Sequence, residues 1–460
     1  MSTTLVVTAS QRSEMLAAAQ RPVESAAILA VRVVETSQGN RRILVRKIHW
    51  IPDQAYSERS ATGLELASDA FVPALAAVAR DQSVAIWMHT HPSGSAPLPS
   101  RKDVLVDESL ADTFRIRTGA AFYGQLIISI VGDVLEFSGY LRPESGADEP
   151  IDRTWTVGER FLLTPRHGTA ALSPLAQFDR SVRAFGPAIQ STLGDLHVGI
   201  VGCGGTGSAV AEQLARLGVQ RFTIVDHKSL SKTNRTRVYG SFPESEQQNK
   251  AQVLRSHLLH IEPDVVVEAV ETNMAMSESA ARRLDDCDLV FGCTDDNAGR
   301  VVLSRLASVL LTPVIDVGVI LDSQDEILHG IFGRVTILAP GAACLVCRKR
   351  IDLAAAAAEV LSDEERAARV ADGYAPEMAG VEPAVITFTT MVAALATGEL
   401  LNRLTGFGDE APPSELLLLA HDHRIARNQV GPRAGHYCEP ETTLFASGIE
   451  QPFLGLSWTE

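Results

Sequence analysis

The 460-residue sequence is short of several features, and each shortage narrows its class. Six cysteines are too few for a disulfide scaffold in a chain of this length. No apolar run reaches the ~18–20 residues that a membrane span needs. The opening MSTTLVVTASQRSEM has neither the basic start nor the apolar core of a secretory signal. Positive charge is in deficit, 41 Lys+Arg against 56 Asp+Glu, for a net −15. So acidic a surface excludes broad, sequence-independent binding to nucleic acid or anionic membrane, both of which rely on excess cation. A composition 45% hydrophobic and 21% charged excludes disordered and collagen-like chains. The expectation is a soluble protein of a reducing cytoplasm.

Texture divides the chain. Residues 22–145 alternate apolar runs (AAILAVRVV, QLIISIVG) with helix-like stretches (ELASDAFVPALAAVAR), which predicts a mixed α/β domain over 1–145. Residues 146–175 are rich in Pro, Gly and charge and read as a linker, with some strand near FLL. From Leu196 strand and helix patterns alternate again: HVGIVG, a glycine turn, a helix, then FTIVD, DLVFGC and TPVIDVGVI. That order predicts a mainly parallel sheet covered on both faces over 176–440, followed by a tail at 441–460. The run 353–371 reads as one amphipathic helix without chemistry.

In the first half, VAIWM reads as a buried strand running into His89-Thr90-His91. Residues two apart on a strand point the same way, so both imidazoles can face one metal ion. After Pro92 and a turn at Gly94–Pro99, Ser100 and Asp103 are spaced as on a helix's first turn, with Ser100 as the N-cap. Two His and one Asp leave a fourth tetrahedral position for water, the mark of a catalytic zinc site. Upstream, Glu24 heads an apolar run, where desolvation would raise its pKa toward the range of a general base.

A Glu upstream of HxHP and SxxD resembles the JAMM/MPN metalloprotease family, over roughly residues 5–140. The resemblance implies cleavage of peptide or isopeptide bonds after the C-terminus of a ubiquitin-like protein. It casts Glu24 as the base, His89, His91 and Asp103 as zinc ligands, and Ser100 as donor to the oxyanion. The stretch from His91 to Asp103 is one residue longer than the usual family spacing, an extra residue the loop before Ser100 is expected to absorb.

In the second half, Gly202-x-Gly204-Gly205-x-Gly207 lies between a strand and a helix, where backbone N–H groups can approach a phosphate. Asp226 ends the next strand, a position from which a carboxylate can bond a ribose hydroxyl. A glycine turn alone suits a nicotinamide oxidoreductase equally well. Asn234, Arg237 and Lys250 then follow, more cation than a dinucleotide site needs and suited to a triphosphate. DLVFGC delivers Asp295 and Asp296 at a strand's C-terminal end, where a carboxylate can hold Mg²⁺.

The segments FDRSVRAFG (178–186), the glycine turn, TNRTR (233–237), NKA (249–251), CTDDNAGR (293–300), CLVC (344–347) and residues 380–406 resemble the ThiF/MoeB/ubiquitin-activating superfamily. That resemblance implies adenylation of the C-terminal glycine of a ubiquitin-like or sulfur-carrier protein. Asn234, Arg237 and Lys250 would contact ATP, Asp226 the ribose and Asp295 the Mg²⁺, with Asp296 as fallback. Arg180 would reach the ATP of a neighbouring subunit, which implies a homodimer. Two departures are TNRTR in place of SNLxRQ, and His227-Lys228 at a usually acidic position.

Cys344 and Cys347 supply half of a structural zinc site. Cys438 and His436 complete a Cys3His set, with His421, His423 and Glu441 also near in sequence and two buried core thiols as the metal-free alternative. Residues 348–380 hold no cysteine, whereas thioester-forming relatives carry one after the CxxC. The enzyme is therefore expected to stop at the acyl-adenylate, or to pass the carrier to a partner's nucleophile, such as a conjugating enzyme, or to a hydroxyl such as Ser362. Rival expectations are a sulfur-carrier pathway leading to a thiocarboxylate, and a non-catalytic nucleotide-binding module.

Overall fold

The computed structural model describes residues 1–67, 69–92, 94–169, 176–362, 364–367, 383–408 and 411–458. Met1–Val157, with 161–169 and 446–448, form one compact unit, and the described residues from 176 to 445 make up most of a second.

The first unit is built on β1 (Thr3–Thr8), α1 (Ala9–Ala19), β2 (Ala26–Glu35), β3 (Arg41–Trp50), β4 (Tyr56–Arg59), β5 (Leu64–Leu66), α2 (Val72–Arg80), β6 (Val84–Thr90), α3 (Arg101–Thr118), β7 (Phe122–Val131) and β8 (Val134–Pro143). Next come β9 (Glu149–Pro150), β10 (Arg153–Val157) and β11 (Leu162–Pro165). Nine strands form one sheet in the order β11-β10-β1-β3-β2-β6-β7-β8-β9, and β4-β5 stand apart as a two-stranded flap. The sheet is buried on both faces. Leu5, Val31, Met88 and Leu126 pack on the side of Met15 from α1. Ile28, Trp87 and Tyr123 pack on the side of Leu75 from α2 and Phe114 from α3. Each such side chain contributes roughly 1.5–3 kcal/mol by leaving water. Two-sided burial explains why AAILAVRVV and QLIISIVG read as apolar runs rather than as alternation.

The stretch expected to be a linker differs. Residues 149–165 add β9 beside β8 and β10 parallel to β1, with β11 antiparallel on β10. These strands are short and lie at or next to the sheet's edges, so their apolar signal is diluted by the Pro, Gly and charge around them. The strand expected near FLL is β11. Residues 170–175 lie outside the described residues.

The second unit holds α4 (Asp179–Phe185), α5 (Pro187–Asp195), β12 (His197–Val201), α6 (Gly205–Arg216), β13 (Arg221–Val225), α7 (Lys250–Ile261), β14 (Val266–Val270), α8 (Glu278–Arg282), β15 (Leu289–Gly292) and α9 (Asn297–Val309). Then follow β16 (Val314–Gln324), β17 (Ile327–Leu338), α10 (Leu353–Glu359), α11 (Ile386–Thr405), β18 (Glu415–Leu419) and β19 (Arg424–Asn428). The sheet runs β14-β13-β12-β15-β16-β17-β18-β19, parallel as far as β16 and antiparallel beyond it. The parallel half matches the expectation. The antiparallel extension of β17–β19 goes beyond that expectation, since the hairpins that build it carry no strand–helix alternation. The run expected to form one helix over 353–371 gives α10, which ends at Glu359, and residues 368–371 lie outside the described residues. No described helix is long and apolar enough to cross a membrane.

Candidate functional site: a metal centre and a glycine-turn pocket

The strand register builds the first site. Ala26 on β2 pairs with His89 on β6. Continuing that antiparallel register by two residues sets Glu24 opposite His91. Thr90 locks the junction, since its N–H donates to Ser25 O at 2.8 Å and its Oγ1 accepts from Ser25 N–H at 2.9 Å. Across the cleft, Ser100 N-caps α3 in a reciprocal box: its Oγ accepts from Asp103 N–H, and its N–H donates to Asp103 Oδ2 at 2.6 Å. Phe114, edge-on to Trp87 and Tyr123, seats α3 against the sheet. The first turn of α3 therefore projects Asp103 over the histidines.

His89 Nε2 and His91 Nε2 lie 3.3 Å apart, and the Asp103 oxygens are 3.4 and 3.6 Å from them. The three ligand atoms lie within 4.8 Å of one another. Two imidazole lone pairs so close repel unless a proton or a metal ion lies between them, and the His2Asp donor set suits zinc. The residues present therefore fit the metal. The longer His91–Asp103 loop does not disturb this convergence. A cleft of about 260 Å³ opens onto the group, walled by Glu24, Trp87, Val106 and the flap residues Gly63 and Leu64. Burial pushes the Glu24 carboxyl up against the opposing pull of His89 and His91. Burial also acts to raise Asp103, but hydrogen bonds from His89 and His91 outweigh it and hold that carboxyl well below the usual range. The bond to Asp103 raises His91.

The second site gathers at the C-terminal ends of β12, β13 and β15. Gly202 has φ +92°, and a Cβ there would meet Cys293 O at 2.6 Å; one on Gly207 would meet Gly202 O at 1.8 Å. Both glycines are therefore required by the close approach of backbone. Gly204 opens α6 without a capping side chain, and a Cβ on it would meet nothing within 4 Å. That leaves an open cradle at the N-terminus of a twelve-residue helix, which fits a phosphate. Asp226 closes the turn, accepting from Cys203 N–H and from Lys228 N–H, each at 2.8 Å. A carboxylate has about four lone-pair sites, so capacity remains for a ribose hydroxyl.

Asn234 and Arg237 stand in the loop after β13. Asn234 Oδ1 accepts from Ser231 N–H, Arg237 Nη1 donates to Thr233 O at 3.0 Å, and the Arg237 stem lies against Gly205. Lys250 begins α7 and donates its N–H to Lys228 O. The two aspartates separate cleanly. Asp296 N-caps α9 through Gly299 N–H and takes the Thr294 hydroxyl. Asp295 is 89% exposed, with Lys228 Nζ 3.6 Å away, and is the one available to a cation. Arg180 is exposed on α4.

Cys344, Cys347, His436 and Cys438 offer ligand atoms within 4.8 Å of one another. His436 Nδ1 lies 3.2 Å from Cys438 Sγ and 3.6 Å from Cys344 Sγ, and Cys347 Sγ is 3.7 Å from Cys438 Sγ. Three thiols and one imidazole fit structural zinc. The Cys438 hydrogen bond pulls the Cys344 thiol down. His421 instead accepts from Ile331 N–H on β17 at 3.1 Å and is not among the four clustered donors. All six cysteines are free of disulfides, and burial pushes the Cys203 and Cys293 thiols up. Ser362 is engaged with Glu365, its hydroxyl 2.8 Å from Oε2.

Sequence reasoning missed Glu359. Its carboxylate accepts from Ala298 N–H at 2.8 Å and Asn297 Nδ2 at 3.0 Å, docking α10 on the N-terminus of α9 beside the aspartates. It also missed Tyr56 and Arg59, whose long-range bonds leave no local pattern.

Comparison with known proteins matches the chain to two family models. The ThiF family model matches residues 178–434, and that of prokaryotic homologs of the JAB domain matches residues 8–137. Ubiquitin-like modifier-activating enzyme 5 of Arabidopsis thaliana is 26% identical over 234 residues, 47% of this chain and 49% of that protein. Its Oryza sativa subsp. japonica counterpart is 28% identical over 166 residues, 33% of this chain and 38% of that protein. The sulfur carrier protein ThiS adenylyltransferase of Escherichia coli (strain K12) is 29% identical over 154 residues, covering 33% and 56%. The match thus spans half or less of the two ubiquitin-like modifier-activating enzymes. E. coli MccB crystallised with ATP is similar at TM-score 0.45 and 16% identity, over 57% of this chain and 73% of that one. The chain belongs to the ThiF family and carries a JAB-homologous domain ahead of its ThiF domain.

Proposed function

We propose that this chain is a bifunctional enzyme of a ubiquitin-like protein pathway. Its first unit cleaves after the C-terminus of a ubiquitin-like protein, and its second adenylates the exposed glycine with ATP and Mg²⁺. The observation that carries the reading is the convergence of His89, His91 and Asp103 beside a buried Glu24, on a chain whose ThiF unit presents an uncapped glycine turn. Bound by those three residues, zinc supplies Lewis acidity toward a carbonyl and a water. Glu24 takes the proton of the attacking water and returns it to the leaving amine, a task suited to a carboxyl raised by burial. The Ser100 oxygen accepts from Asp103 N–H, and its hydroxyl, which also bonds the Asp103 carboxylate, is the donor that would turn to the developing oxyanion.

In the second unit, Asn234, Arg237, Lys250 and the turn N–H groups hold the triphosphate, Asp226 the ribose and Asp295 the Mg²⁺. Arg180 completes the partner's site in a homodimer. No cysteine is left for a thioester: three belong to the Cys3His cluster and three are buried or confined at the turn and beside β15. The adenylate therefore passes to a nucleophile of another protein, such as a conjugating enzyme. Tethering the two activities raises their effective concentration for a shared substrate. The similarity to the E. coli sulfur carrier protein ThiS adenylyltransferase favours a second reading, in which the adenylate leads to a thiocarboxylate.

The test is to incubate the chain with carriers bearing C-terminal extensions, plus ATP, and to weigh the products. Trimming should vanish in Glu24→Gln and carrier-dependent ATP–pyrophosphate exchange in Lys250→Ala, each variant sparing the other reaction. Trimming that survives Glu24→Gln would remove the hydrolytic half of the proposal.

A further inference from the structure

Glu24 lies outside any regular element, since α1 ends at Ala19 and β2 begins at Ala26. Its placement is nonetheless tightly specified, and most of the bonds that specify it come from the flap. Glu24 N–H donates to Ser60 O at 2.9 Å. Glu24 O accepts from Arg59 Nε at 2.5 Å, and Ser25 Oγ accepts from Arg59 Nη2 at 2.5 Å. Ala26 N–H donates to the Tyr56 hydroxyl at 2.8 Å. Three consecutive residues are thus held by three residues of one hairpin.

Arg59 is itself oriented from two sides. Its Nη1 donates to Asp53 Oδ1 at 2.7 Å, and its guanidinium stacks over the Tyr56 ring, 4.4 Å from the centroid. A planar fork held at both ends loses little further entropy on bonding the Glu24 carbonyl and the Ser25 hydroxyl. The flap is not part of the main sheet. Its turn, through Gly63 and Leu64, is a wall of the cleft that opens onto His89 and His91. A ligand pressing on that wall therefore acts on the same hairpin that fixes Glu24.

We propose that Arg59 is the positioning residue of Glu24, fixing its backbone so that the carboxylate stands over the histidine pair and coupling that placement to occupancy of the cleft. The inference rests on the reading of Glu24 as base. Arg59 touches neither the ligand atoms nor the reacting groups, so its loss should slow turnover without emptying the metal site.

The test compares full-length, zinc-loaded wild type, Arg59→Ala, Arg59→Lys and Glu24→Gln. Hydrolysis is followed on a peptide ending in Gly-Gly-aminomethylcoumarin, zinc content by elemental analysis, and backbone order by hydrogen exchange at the Glu24 and Ser25 amides. Arg59→Ala should lower kcat at least tenfold with KM within twofold and zinc content unchanged. Arg59→Lys, keeping one charged donor, should recover part of kcat. Amide exchange at Glu24 should quicken in Arg59→Ala and stay at the wild-type rate in Glu24→Gln. Unchanged kcat in Arg59→Ala, or loss of zinc in step with loss of kcat, would overturn the positioning role. If wild type fails to cleave the peptide, the base reading fails on its own; faster Glu24 exchange in Arg59→Ala still supports the positioning role, and unchanged exchange refutes it.

Discussion

The adjacent aspartates Asp295 and Asp296 offer a sharp separation of function from stability. Asp296 caps α9 and binds the Thr294 hydroxyl, whereas Asp295 is 89% exposed and paired only loosely with Lys228. Replacing an N-cap Asp by Ala costs about 1 kcal/mol. In a unit this size, that lowers Tm by roughly 2–4 °C. An exposed side chain with one solvated ion pair contributes within about 0.5 kcal/mol, so Asp295→Ala should leave Tm unmoved. Its effect should fall on chemistry instead. On the proposed role of Asp295 as the Mg²⁺ carboxylate, its loss should lower carrier-dependent ATP–pyrophosphate exchange by on the order of 100-fold. Asp296→Ala should lose no more than a few-fold. Differential scanning fluorimetry and exchange assays on the two variants decide the matter. Full exchange activity in Asp295→Ala, or a silent Tm with abolished exchange in Asp296→Ala, would refute the assignment of roles.

Two further outcomes are expected. Cys438→Ser should reduce zinc from two ions per chain to one by elemental analysis. With free zinc at 100 times Kd, the lost binding is about 2.7 kcal/mol, enough to lower the second unit's Tm by roughly 5–10 °C. For pH, the buried Glu415 has its carboxyl lowered: burial acts to raise it, but hydrogen bonds from Arg350 and Asn428 outweigh that. A folded pKa below the unfolded one means its stabilisation is complete above about pH 4.5 and fades as pH falls through the folded value. Glu415→Gln should therefore flatten the acid limb of the stability curve. At neutral pH it should cost about 3 kcal/mol, because Arg348 and Arg350 lose their counter-charge. Denaturant titrations between pH 3 and pH 7 read both effects.

Much of the site was legible in sequence because its ligands sit at local spacings. His89 and His91 are two apart on a strand, Ser100 and Asp103 share a helix's first turn, and the glycines crowd one turn, so short-range geometry alone brings each group together. Distant pairs were harder. His436 was one of several donors near Cys438 in sequence, and the choice among them required seeing His421 turned to Ile331. Asp295 and Asp296 are the same residue type side by side, and only the orientation of α9 shows which one is spent as a cap.

By itself, the sequence determined the α/β class, the two-unit order, the glycine turn and the grouping of His89, His91 and Asp103, since each follows from period or spacing within about twenty residues of chain. Tertiary structure alone decided that residues 149–165 join the first sheet and that the second sheet turns antiparallel after β16. It alone set Glu359 on α9 and fixed Glu24 by the flap. For three of these the contacts join residues far apart in sequence, while β17 turns back on β16 after two residues; in each case backbone pairing and hydrogen bonds leave no periodic trace in the residues that make them.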